Sequence, residues 1–88
     1  MTGLAKDPSR FAETRIEDET VVMSLDSGDF FSLTGTAQSI WRLLDGTRDR
    51  AAILAALAAE YDASEAEMAS DLDAFLADLR AAGLLASA

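Results

Sequence analysis

The side chains of this 88-residue chain that could do acid–base chemistry are carboxylates: sixteen Asp and Glu against seven Lys and Arg, with no His and no Cys. The usual general base, the thiolate nucleophile and the nitrogen and sulfur ligands of zinc are therefore missing. Lys6 is the single side-chain amine, and it falls in a stretch without periodic pattern. So many acids in so short a chain lie close in pairs by composition alone, so a carboxylate pair is no sign of catalysis. The expectation is a chain that is not an enzyme, with no metal and no cofactor, whose chemistry is recognition.

Two groups of residues suit recognition. The first is the run Asp29, Phe30, Phe31, Ser32 and Leu33, whose last four residues form a short strand pattern. Phe30 and Phe31 are adjacent on it, so their rings point to opposite faces. One is core, and the other is exposed or covered by something else. The strand is the last before a helical stretch, which places it at a sheet edge, where unpaired N–H and C=O groups accept an extended peptide. The second group lies on the last helix, where Met68, Leu72, Phe75, Leu76 and Leu79 share a broad face with Asp71 and Asp78 on its shoulder. If that helix packs beside the edge, a peptide-binding cleft results. Its floor offers backbone hydrogen bonds, its wall Leu72, Phe75 and Leu79, and its rim Asp71 and Asp78. Acids at the rim favour a basic peptide and a salt-sensitive affinity.

The elements that position these residues follow from periodicity. Val21, Met23 and Leu25 alternate with more polar neighbours and predict a strand with that set on its buried face. Asp26-Ser27-Gly28 supplies hairpin turn chemistry, with Gly28 where φ must be positive. Phe11–Ile16 is a weaker strand pattern, joined to the hairpin by the acidic turn Glu17-Asp18-Glu19. After Leu33 the period becomes helical, with Ala37, Ile40, Trp41 and Leu44 on one face. Thr34 or Thr36 is placed to cap this helix and Gly46 to end it in a left-handed conformation. Asp49 caps a second helix, Arg50 to Tyr61, with Ile53, Leu54, Leu57, Ala58 and Tyr61 as its apolar stripe. Ser64-Glu65-Ala66-Glu67 is a capping box for a third, which runs to about Ala82 and stops at Gly83. Leu84 or Leu85 then folds back on it. Trp41, Phe75 and one of the two adjacent phenylalanines, Phe30 or Phe31, are expected in the core.

The architecture is α+β: a three-stranded antiparallel sheet followed by three helices, similar to a winged helix-turn-helix. Residues 1–10 read as a flexible N-terminal segment and 11–88 as one domain. No run of apolar residues is long enough to span a membrane, and the N-terminus lacks the apolar core of a secretion signal, so a cytoplasmic location is expected. The formal net charge of −9 disfavours nucleic acid and anionic membranes as partners. The last helix would present Asp71, Asp73 and Asp78 to DNA, and these repel phosphates. Ser27 has the Asp-Ser start of the motif on which acyl carrier proteins load their arm, but the leucine is missing and the site lies between strands, so Ser27 reads as a turn residue.

Residues VVMSLDSGDFFSLTGTAQSIWRLLDG, then AAILAALAAEYDAS and SDLDAFLADLRAAGLL, give the chain a resemblance to the PqqD family over roughly residues 11 to 85. Members of that family are recognition elements for ribosomally made, post-translationally modified peptides. The resemblance implies a non-catalytic domain that binds the leader of a precursor peptide as an added antiparallel strand between the third strand and the third helix. Carried over, Asp29 to Leu33 supply the edge, and Asp71, Leu72, Phe75, Leu76 and Leu79 the wall. The free-standing form looks most like the leader-binding proteins of lasso-peptide clusters, whose partner is a leader peptidase. The pyrroloquinoline quinone peptide chaperone, which serves a radical SAM enzyme, is the alternative within the family, and a DNA-binding or general interaction module the alternative outside it.

Overall fold

A computed structural model describes residues 3–86; positions 1–2 and 87–88 of the two expected segments lie outside it. The described chain runs β1 (Phe11–Ile16), β2 (Glu19–Ser24), β3 (Phe30–Leu33), α1 (Gly35–Leu43), α2 (Arg50–Tyr61) and α3 (Glu65–Ala82). The three strands form one antiparallel sheet in the order β1-β2-β3, so β3 is an edge. The expected order of strands and helices is the observed one.

One face of the sheet packs on the helices. Val22 and Leu33 meet Ile40, Trp41, Leu44, Ile53, Leu57, Leu72 and Leu76 in a single buried cluster. The buried face of β2 differs from the expected one. Thr20, Val22 and Ser24 point inward, while Val21 and Met23 are half-buried and Leu25 is exposed. A one-residue change of phase exchanges the two faces of a strand, and here the face with more apolar residues is not the one turned to the helices, so alternation points to the wrong face. The inward polar groups are satisfied: Thr20 Oγ1 accepts from Gln38 Nε2 at 3.0 Å, and Ser24 Oγ accepts from the Ser27 amide at 3.4 Å.

The local signals of the second and third helices hold. Asp49 accepts from the Ala52 amide at 2.9 Å. Both halves of the Ser64–Glu67 capping box are present, and Gly83 ends α3 at φ 74°. Leu84 then donates its amide to the Leu79 carbonyl at 3.0 Å and buries its side chain. The caps of α1 differ. Thr34 sits at the N-cap without a side-chain hydrogen bond, and the helix ends at Leu44, not at Gly46.

Gly46 has φ 87° for another reason: the N-terminal segment crosses there. The Gly46 amide donates to the Leu4 carbonyl at 3.0 Å, and the Leu4 amide to the Arg48 carbonyl at 2.7 Å. On the other side, Asp7 donates to the Leu84 carbonyl and Ala86 to the Ala5 carbonyl, each at 2.9 Å. Residues 4–7, within the stretch read as a lead-in, thus form a strap between the α1–α2 loop and the end of α3. A Cβ at Gly3 would lie 2.3 Å from the Gly46 carbonyl oxygen, so the crossing requires glycine.

Candidate functional site

The open edge of β3 lies beside α3, and between them is an apolar hollow of about 680 Å³. Phe30, Phe31, Ser32 and Leu33 border it on the sheet side; Phe75, Asp78, Leu79 and Ala82 border it on the helix side. A second hollow of about 440 Å³ adjoins it, lined by Thr34, Ala37, Asp71, Phe75 and Asp78 among others. Phe75 and Asp78 belong to both, which makes one groove along the helix.

The backbone of β3 is presented to this groove in a defined phase. The Ser24 amide donates to the Asp29 carbonyl at 2.8 Å, and the register continues as Val22↔Phe31 and Thr20↔Leu33. Hydrogen-bonding direction alternates along an antiparallel strand. Asp29, Phe31 and Leu33 therefore turn their backbone groups toward β2, and Phe30 and Ser32 turn theirs toward the open edge. Side chains alternate too. Phe31 is half-buried on the helix side, and Phe30 is 69% exposed on the other.

The structure divides the expected helix residues. Asp71, Phe75, Asp78 and Leu79 border the groove. Leu72 and Leu76 are 0% and 2% exposed and line neither hollow, which corrects their placement on the accessible wall. The reason is helical phase. Met68, Leu72, Leu76 and Leu79 form the core stripe, while Asp71, Phe75, Asp78 and Ala82 form a second stripe about 100° round the helix. Asp29 sits at the end of the edge, with its amide and carboxylate both engaged by Ser27 Oγ.

Among the groove residues that escape a reading of the sequence are Trp41, Ala82 and Leu84. Trp41 is core, 2% exposed, yet it also floors the hollow. Its indole N–H donates to Glu13 at 3.3 Å, Phe11 meets it edge-on at 4.9 Å, and Lys6 Nζ lies 5.0 Å from its ring. Ala82 continues the second stripe, a spacing the sequence does contain, and Leu84 arrives through the turn after α3.

The charges around the groove are uneven. Asp73, on the far side of α3, takes a bidentate hydrogen bond from Arg50 at 2.8 and 2.9 Å. That bond holds its carboxyl below the usual carboxylate range. Asp71 and Asp78 remain as the acids that face the groove. Among the described residues no helix is long and apolar enough to cross a membrane.

Residues 19–85 match the family described as coenzyme PQQ synthesis protein D, PqqD. Over 52 residues the chain is 48% identical to a PqqA binding protein of Rhodopseudomonas palustris (strain TIE-1). That alignment covers 59% of the chain and 51% of the relative, so the chain spans about half the length of the curated relative it matches. Its structure is similar to that of TbiB1, solved in complex with the TbiA(beta) leader peptide, with a TM-score of 0.83, 28% identity and 96% of both chains covered.

Proposed function

The chain belongs to the PqqD family, and from that premise we propose that it is a non-catalytic adaptor that captures the leader of a ribosomally made precursor peptide. The observation that carries the reading is the groove between an unpaired strand edge and α3. In this reading the leader adds as a strand to Asp29–Leu33, hydrogen-bonding through Phe30 and Ser32. Its groove-facing side chains pack on Phe31, Phe75 and Leu79, while Leu72 and Leu76 hold the helix wall from within the core. Asp71 and Asp78 favour a leader with Lys or Arg near the bound segment. The leader complex of the structurally similar TbiB1 supports this reading.

The adaptor then presents the bound precursor to a processing enzyme in the cytoplasm. A leader peptidase is the favoured partner, on the FFSLTG exit of the hairpin. A second reading, delivery to a radical SAM enzyme, is supported by the relative named PqqA binding protein.

Isothermal titration with a synthetic leader of a precursor peptide encoded beside this chain tests the proposal. Binding at micromolar affinity or tighter is expected, weakened roughly 5- to 30-fold by Phe75→Ala, the loss typical of a buried aromatic anchor. An absence of binding, with retention of duplex DNA at moderate salt, would overturn it in favour of a DNA-binding module.

A further inference from the structure

Resting on the adaptor reading, we propose that the ring of Phe30 is a specificity subsite that reads one side chain of the bound peptide on the sheet face turned away from the helices. That face carries the rows Ala12–Met23–Phe30 and Thr14–Val21–Ser32. Phe30 has half-buried Met23 on one side and the open edge on the other. Edges are normally blunted by charge or proline, yet this row holds neither, and its last ring is 69% exposed. A strand added to β3 extends both rows by one residue. The peptide residue opposite Phe30 shares its face at a Cβ separation of about 5 Å, where aromatic and β-branched pairs interact.

The outward residue two positions along falls opposite Ser32, whose hydroxyl donates to Glu19. A polar or cationic side chain suits that place. The intervening residue points into the groove against Phe75 and Leu79. The ligand is thus an extended peptide read on both faces. An aromatic or β-branched residue lies beside Phe30, an apolar one follows in the groove, and a polar or basic one lies beside Ser32 and Glu19.

Double-mutant cycles test this, pairing Phe30→Ser and Phe75→Ala with single alanine substitutions along the synthetic leader used above. Phe30→Ser is expected to weaken binding roughly 2- to 5-fold with an unchanged melting temperature, because its ring is exposed, and Phe30→Tyr should restore the affinity. The coupling should fall on one leader position, an odd number of residues from the position coupled to Phe75. If Phe75→Ala weakens binding and Phe30→Ser does not, the subsite is wrong and the adaptor reading stands. Coupling of both to positions of the same parity also overturns the subsite. A leader that fails to bind the unaltered protein removes both.

Discussion

Glu67 closes a ring at the head of α3. Its carboxylate accepts from the Ser64 amide at 3.0 Å, while the Ser64 hydroxyl accepts from the Glu67 amide at 3.2 Å. Ser64→Ala should lower stability by about 1 kcal/mol in urea denaturation. The Ser64 amide bond, with help from its hydroxyl, holds the Glu67 carboxyl below its ordinary value, and Arg50 does the same for Asp73. A carboxyl with a lower pKa in the folded chain stabilises the fold above the ordinary carboxylate range, and that stabilisation is lost as pH falls through the folded value. Glu67→Gln should therefore flatten the acid limb of a stability–pH curve and leave neutral pH less stable. This box is legible in the sequence because capping is a matter of four consecutive residues. Trp41 is not legible in the same way. Its partners Lys6, Phe11 and Glu13 come from a distant part of the chain, and no spacing announces that a buried indole also floors a groove.

At the scale of elements, α3 carries two stripes with different duties. Leu76→Ala should cost about 2–5 kcal/mol of stability, read from the denaturation midpoint, with peptide affinity unchanged among molecules still folded. Phe75→Ala, one residue earlier, should show the reverse: a small change in midpoint and a large one in affinity. The helix and its apolar breadth are legible from period alone, but the split between core and groove is not. A face that wide holds both stripes, and only the position of β3 decides which stripe meets the sheet. The same limit explains β2. Its more apolar face, with Val21 and Met23, is not the one turned to the helices, which pack above Val22. The edge position of β3 is legible, because a strand followed directly by helices has no later strand to cover it.

The whole molecule carries a net charge of −9, and Asp71 and Asp78 bring part of it to the groove. Affinity for a leader with Lys or Arg beside its bound segment should fall as sodium chloride rises past the concentration where screening reaches about 10 Å. Affinity indifferent to salt would remove these two carboxylates from direct contact. Element order makes the α+β class legible, and the hairpin, Trp-helix and last-helix segments, in their order and spacing, carry the PqqD resemblance. The strap is not legible, because its bonds run through backbone groups and leave no pattern in the side chains. That strap has a practical corollary. With Ala86 hydrogen-bonded to Ala5, the two ends of the described chain adjoin, so a short glycine–serine linker can join them and new termini can be cut at the Glu17-Asp18 turn. Such a circular permutant reads β2, β3, the three helices, the strap and then β1, and it keeps β3 and α3 unbroken on one continuous segment. The groove thereby becomes a cassette that can be inserted into a host protein through a point on the sheet's opposite border.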